Sequence, residues 1–329
     1  MKTRYKKIAI VGAGAIGGWI GNKLAKNGAE VSVLARNETL ANINASGLKL
    51  FEDNAESIVR VKASDKPEEL GIQDLVIIAL KAPSLPSLAK QIKPLIGKET
   101  VILTAMNGIP WWFLHNFGNA LKNQTLSSID PDGALQAAIP ADQVIGCVVH
   151  ASCSADAPGT IRHHFGNKLI IGEPSGGNTN RLLELEQLLS SAGYETNVSP
   201  QIQKDIWYKL WGNMTVNPIS AITNATTDQI MGDDLVRDFA SHIMLEAKLI
   251  GSKIGIDIDQ SPEDRHVITR KMGAFKTSML QDVQAKKQVE IDALIGAVHE
   301  LGQKVNVETP FINALFGLSR LHAKNLGIY

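Results

Sequence analysis

Cysteine is scarce in this chain of 329 residues: there are two, Cys147 and Cys153. They do not form a CxxC pair, and no second pair exists to complete a tetrahedral zinc site. A reduced, cytoplasmic protein with buried structural thiols is the expectation. An excess of charge is also missing. Lys and Arg number 33, Asp and Glu 33, and the formal net charge is zero. The basic stripe of a nucleic-acid binder is therefore absent. No stretch approaches the ~18 consecutive apolar residues of a membrane span. The basic start, Met1–Lys7, leads into Ile8–Val11, which Gly12, Gly14, Gly17 and Gly18 interrupt at once, so it does not read as a signal peptide. What is present is ordinary for a globular protein: 44% hydrophobic and 20% charged residues. The length suffices for two domains with buried cores.

The first half alternates strand-like and helix-like segments. Residues 7–11, 30–35, 74–80 and 100–104 are short apolar β runs, whereas 15–27 and 85–96 are amphipathic. That alternation predicts βαβ units and a parallel sheet. Residues 144–152 and 160–172 read as a β pair turned by Ala157-Pro158-Gly159. A helix over 180–192 and a last strand over 194–198 follow. After Pro200 the pattern is helical: 204–211, 235–254, 285–301 and 310–325. The expected organisation is a Rossmann-type α/β domain over residues 1–199 and an all-helical substrate domain over 200–329. Residues 111–142 are long and mixed, with Trp111-Trp112-Phe113 near their start.

The motif Gly12-Ala13-Gly14-Ala15-Ile16-Gly17 follows the first strand and opens the first helix. Gly12 permits a tight turn, Gly14 lets backbone approach a pyrophosphate, and Gly17 lets helix pack on strand. The helix N-terminus then offers free N–H groups to phosphate. A bare GxGxxG is weak evidence; its strand–turn–helix context strengthens it. The second strand ends in Val33-Leu34-Ala35-Arg36-Asn37, without the acid that binds a ribose 2′-OH. Arg36 suits a 2′-phosphate instead, so NADPH is expected over NADH. Lys81 follows the strand 74–80, at the ligand-facing ends of parallel strands; a solvated lysine would look the same. Asn107-Gly108 is equally a turn or an amide placed beside nicotinamide and substrate.

In Trp207–Asn217, Lys209, Asn213 and Asn217 recur at i, i+4 and i+8, on one helix face among Leu210, Trp211, Met214 and Val216. Amides among apolar neighbours require partners. Together with the glycine motif, Arg36 and Asn107-Gly108, the blocks KLWGNMTVNPISAIT at 209–223, SMLQD at 278–282 and VEID at 289–292 resemble the ketopantoate reductases (2-dehydropantoate 2-reductases) over essentially the whole chain. The KLxxNxxxNPxSA block is far more specific than the glycine fingerprint.

The resemblance implies a Rossmann domain and a helical domain with the active site in the cleft between them, and NADPH-dependent reduction of ketopantoate to pantoate. It implies Lys209 as the general acid. Asn213 and Asn217 would hydrogen-bond substrate, and Ser278 would bind its carboxylate or a neighbouring oxygen. Glu290 would hold the substrate hydroxyl and position Lys209. Asn107 would bridge cofactor and substrate; Lys81 and Arg36 would belong to the cofactor site. By itself Glu290 is also what a helix's first turn favours.

Some residues depart from the pattern. Thr227 stands where members often carry asparagine, with Asn224 close by, and Ser152 takes the place of an alanine beside the cofactor. With the Trp111-Trp112-Phe113 loop, these mark a divergent branch. That loop either reshapes the substrate pocket or serves packing or a dimer contact. His150, His163 and His164 are read as surface or turn histidines, not metal ligands. Alternative functions are a 2-hydroxy acid dehydrogenase of other specificity and a non-catalytic NADPH sensor. Apart from the small-molecule substrate, a homodimer through 236–254 and 311–321 is one option and a monomer the other; neither nucleic acid nor membrane is an expected partner.

Overall fold

Short apolar runs build a ten-stranded sheet from β1 (Lys7–Val11), β2 (Glu30–Leu34), β3 (Leu48–Glu52), β4 (Ala55–Val59), β5 (Lys62–Ser64), β6 (Leu75–Ile78), β7 (Val101–Ala105), β8 (Val144–Ala157), β9 (Thr160–Gly172) and β10 (Glu195–Val198). This computed structural model describes residues 4–329; Met1, Lys2 and Thr3, part of the basic start, lie outside them. The order is β4-β3-β9-β8-β7-β6-β1-β2-β5, with β10 paired to β9. Pairing is parallel from β5 through β8, and antiparallel only in β3·β4 and β8·β9. The central strands β1, β6 and β7 are buried on both faces, which is why they read as unbroken Val/Ile/Leu runs. The chain leaves β1 on one side toward β2 and later returns on its other side as β6. This reversal is where a doubly wound sheet opens a crevice at its carboxyl edge.

The helices of this unit are α1 (Ala15–Lys26), α2 (Asn37–Ser46), α3 (Pro67–Leu70), α4 (Leu85–Ala89), α5 (Ala134–Ala138) and α6 (Asn180–Ser191). Residues 85–96, expected as one amphipathic segment, divide into α4 and a 3₁₀ turn at Lys93–Leu95. Expected strands β1, β2, β6, β7, β8, β9 and β10 all form, whereas β3, β4 and β5 were not anticipated. The β3–β4 hairpin turns at Asp53-Asn54, both at positive φ (50° and 62°), the geometry of a two-residue hairpin turn. His163, read as a surface or turn residue, is held inside: its ring stacks on Trp19 at 5.4 Å, and Nδ1 lies 3.4 Å from Glu52 Oε1. The Cys153 thiol beside them is pushed up to about 12, first by burial and then by the Glu52 charge. Cys147 is buried, and neither cysteine forms a disulfide.

A second unit comprises Asn107–Gly133 and Gln203–Tyr329, the first taking the chain up to Met106 and Ala134–Ile202. The single boundary expected near residue 199 thus falls at Ile202/Gln203, and the mixed segment after Asn107 joins the second unit. That unit holds α7 (Ile202–Thr223), α8 (Thr227–Gly232), α9 (Asp234–Lys253), α10 (Pro262–Arg270), α11 (Ser278–Gln284), a π-helical turn (Asp292–Gly296), α12 (Ala297–Lys304) and α13 (Pro310–Asn325), with no strand among its described residues. The helix expected over 285–301 does not form as one piece. Lys286, at φ 53°, ends α11 in the left-handed region, and helical structure resumes at Ile291.

Helix α7 is buried along most of its length, from Ile206 to Ala221, and is the core helix of this unit. Trp207, Leu210, Trp211 and Met214 are buried, and Trp211 Nε1 donates to Met244 O at 2.7 Å. The aromatic loop packs here rather than facing solvent. Trp111, Trp112, Phe113 and Leu114 are all buried, and the Phe113 ring lies 6.1 Å from that of Trp207.

Glu300 of α12 clamps the same segment. Its carboxylate accepts from Ser127 N–H at 2.9 Å and Ser128 N–H at 2.8 Å. Burial raises its proton affinity, but hydrogen bonding from Ser128 and Ser127, backbone and side chain together, outweighs burial and holds the carboxyl below the ordinary glutamate value. A lowered folded-state pKa contributes stability above the unfolded pKa and loses it as pH falls through the folded one. Glu300→Gln should cost about 1–3 kcal/mol at pH 7, the range for weakening a buried charged acceptor. In thermal denaturation, the gap to the wild type should close below pH ~4, the ordinary glutamate range; a gap constant from pH 3 to 7 would rule out the charged clamp.

Candidate active site

The glycine turn of the first unit is tight where a fold needs closeness and open where a ligand needs room. Gly12 has φ 96°, and a Cβ there would stand 2.6 Å from Leu80 Cδ2. A Cβ on Gly17 would stand 2.0 Å from Gly12 O, so α1 can pass this close only as glycine. At Gly14 a Cβ would meet nothing within 4 Å. Gly14 is also the N-cap of α1 and supplies no capping side chain, leaving the first N–H groups of a 12-residue helix for an anion. Ala13 lies in the turn; Ala15 and Ile16 form the helix's first two residues.

Past β2, Arg36 is exposed and donates to Gln91 Oε1. It lines a cavity of about 470 Å³ with Asn37, Lys66, Lys90, Gln91 and Lys93 among its walls, and with Asp65 and Glu68. Four cations against two carboxylates make this cavity suited to a phosphate. Lys81 sits just past β6 as the N-cap of a 3₁₀ turn. These features fit a phosphorylated dinucleotide on one unit's own residues. No sequence motif marks the Lys66, Lys90 and Lys93 walls, because Lys66 precedes α3 while Lys90 and Lys93 follow α4, and only the fold brings the two segments together.

In the second unit, Lys209 and Asn213 occupy one face of α7 and are half-buried, while Asn217, a further turn along, is 8% exposed. Lys209 Nζ donates to Asn107 Oδ1 at 2.8 Å, a contact across 102 residues of chain. Asn107-Gly108 forms a bend with Gly108 at φ 78°, and the Asn107 amide oxygen is engaged by the lysine. Glu290 is half-buried immediately before the helical turn that begins at Ile291, and its carbonyl accepts from Leu294 N–H at 3.1 Å. Ser278 is the exposed first residue of α11, capped by Thr277.

An ammonium hydrogen-bonded to an amide oxygen, with further amides along the same face, is suited to donate a proton to an oxygen gaining charge. The geometry does not gather every expected group. Thr227 is buried, donating its hydroxyl to Gly273 O at 2.6 Å and accepting from Phe275 N–H at 3.2 Å. Asn224 accepts from Gln284 Nε2 at 2.8 Å.

Comparison with known proteins gives the family. The sequence model of the family described as ketopantoate reductase PanE/ApbA matches residues 8–176, and that of its C-terminal part matches residues 201–323. The chain belongs to the ketopantoate reductase family. A 2-dehydropantoate 2-reductase of Mesorhizobium japonicum is 44% identical over 98% of this chain and 99% of its own. A solved structure from Ralstonia solanacearum MolK2, provisionally assigned as a ketopantoate reductase, is 49% identical with a TM-score of 0.96, covering 99% of this chain and 100% of its own. The 2-dehydropantoate 2-reductase of Geobacter metallireducens GS-15 is 28% identical, with a TM-score of 0.83 and coverage of 96% and 99%. Ketopantoate reductases are oxidoreductases acting on a CH–OH group with a nicotinamide cofactor.

Within this family member, a further cation borders the lysine face. Arg265 of α10 has its guanidinium 5.1 Å from the Tyr208 ring and packs over Gly212, where a Cβ would stand 2.6 Å from Nε. The open position of the KLxxN block is glycine here, which is what allows that approach. No helix among the described residues is long and apolar enough to cross a membrane. No group of three His, Cys, Asp or Glu side chains among them converges as a metal ion would require.

Proposed function

We propose that the chain reduces ketopantoate to pantoate with NADPH, in the cytoplasm. The observation that carries the reading is the Lys209 Nζ–Asn107 Oδ1 contact of 2.8 Å on the face shared with Asn213. The cofactor, when bound, supplies hydride to the keto carbon. Lys209 gives its proton to the carbonyl oxygen as the C–O bond becomes an alkoxide, and takes a proton back from solvent. Asn107 holds the ammonium in place before the reaction. Asn213 and Asn217 orient the substrate, Glu290 holds the substrate hydroxyl and positions Lys209, and Ser278 binds the carboxylate or a neighbouring oxygen. On the cofactor side, Gly12, Gly14, Gly17 and the α1 N-terminus hold the pyrophosphate. Arg36, with Lys66, Lys90 and Lys93 around it, holds the 2′-phosphate. Lys81 belongs with them by its place at the end of β6.

A second reading keeps the chemistry and changes the acid. It rests on Thr227, whose hydroxyl is engaged with Gly273 and Phe275 rather than left for a substrate. The test is NADPH oxidation by purified protein against a panel of 2-oxo acids that includes ketopantoate, with NADH in parallel. NADPH-selective turnover of ketopantoate above the other acids is the expected result. Preference for another acid would move the assignment to the second reading, and tight NADPH binding without turnover of any acid would overturn both.

A further inference from the structure

Glu290 and Asn107 stand far apart in the sequence, yet one backbone contact joins the turns that carry them. Just after Glu290 the helix adopts π register over Asp292–Gly296, so the Ala297 N–H donates to Asp292 O. In α register that N–H would go to Ala293 O. Ala293 O instead accepts from Ile109 N–H at 2.8 Å. The residue between Asn107 and Ile109 is Gly108, at φ 78°. A Cβ on it would stand 2.5 Å from Ala293 O and 2.8 Å from both Ala293 C and Cβ. The other side of the Glu290 segment is tied as well: Val289 N–H donates to Ile328 O at 3.1 Å, and Tyr329 Oη donates to Asp292 Oδ1 at 3.0 Å.

We propose that Gly108 is a positioning residue that sets the spacing between Asn107 and Glu290 through its contact with the π turn, with Tyr329 as the tether on the opposite side. The proposal rests on the reading of Lys209 as proton donor, since Asn107 is the partner that holds its ammonium. Any side chain at 108 must lift the Asn107 turn away from Ala293. Asn107 Oδ1 then leaves Lys209 Nζ while every catalytic side chain is still present. A displacement of about 1 Å suffices for a loss near 10²-fold.

Gly108→Ala and Gly108→Asn separate the two demands on this position. Asparagine tolerates positive φ but keeps the Cβ. Both variants should lose kcat about 10–100-fold, with NADPH Kd unchanged. In an Asn107→Ala background the same Gly108 substitution should cost less than about twofold further, because both changes remove one interaction. Full additivity, or recovery of kcat by Gly108→Asn, would overturn the proposal.

Tyr329→Phe, a milder change, should lower kcat severalfold at unchanged NADPH Kd; wild-type kcat would remove the tether. The link is also read without substrate. Amide exchange at Ile109 should accelerate in Gly108→Ala while the amides of α7 keep their protection. Unchanged exchange at Ile109 would sink the proposal even if no 2-oxo acid is turned over. Turnover that ignores Lys209 would instead sink the mechanism on which it rests.

Discussion

Lys209→Ala should lower kcat for 2-oxo acid reduction by about 10²–10⁴-fold, the usual contribution of a positioned general acid. Its effect on NADPH affinity should be small, because the groups assigned to the pyrophosphate and the 2′-phosphate belong to residues of the other unit. The loss should appear in kcat and kcat/KM alike, the signature of an interaction made in the transition state. Lys209→Arg keeps the charge but not the readily transferred proton, and should recover little. An alanine variant with wild-type kcat would leave the Lys209–Asn107 contact as a structural bond and remove the general acid from the mechanism. Asn107→Ala should lose less than Lys209→Ala, since it leaves the proton donor in place and removes only its holder.

What could be read beforehand was whatever depends on neighbours in sequence. The glycine turn is an example: Gly17 approaches Gly12 O, five residues away, so the constraint is written into one short motif. The lysine–amide face of α7 is another, because i, i+4 and i+8 fix a face once the segment is helical. The extent of α7 was harder to see. The amphipathic pattern ends near Trp211, whereas the helix continues to Thr223, and residues 214–221 are buried whether polar or apolar, which leaves no alternation to read.

Strands β3, β4 and β5 escaped notice because they are short and only partly buried, so neither an apolar run nor a clean alternation marks them. The hydrophobic spacing of Val289, Ile291, Leu294 and Ile295 continues across 285–301, but Lys286 at positive φ breaks the helix. Periodicity records burial without recording the interruption. The π register after Glu290 goes with an N–H from Ile109 to Ala293 O, and Asn107–Gly133 meets the helical unit through the Phe113–Trp207 contact and the Glu300 clamp. All of these are long-range facts.

Arg36→Ala is the change with the largest expected effect on cofactor choice. Hydrogen bonds to charged groups contribute about 1.5–3 kcal/mol each, so NADPH should bind roughly 10–100-fold more weakly. NADH has no 2′-phosphate and should change by less than about twofold on the same argument. The predicted result is therefore a roughly 10–100-fold fall in the NADPH/NADH preference, measured as the ratio of kcat/KM values for the two cofactors. Lys66, Lys90 and Lys93 line the same cavity, so selectivity should fall without vanishing, and it should fall further when Lys90 is also neutralised. Salt discriminates as well: the NADPH affinity of the wild type should weaken with ionic strength more steeply than that of the variant. Equal weakening of both cofactors by Arg36→Ala would assign Arg36 to the adenosine or to the loop itself, through its bond to Gln91, and would leave the 2′-phosphate to the lysines alone.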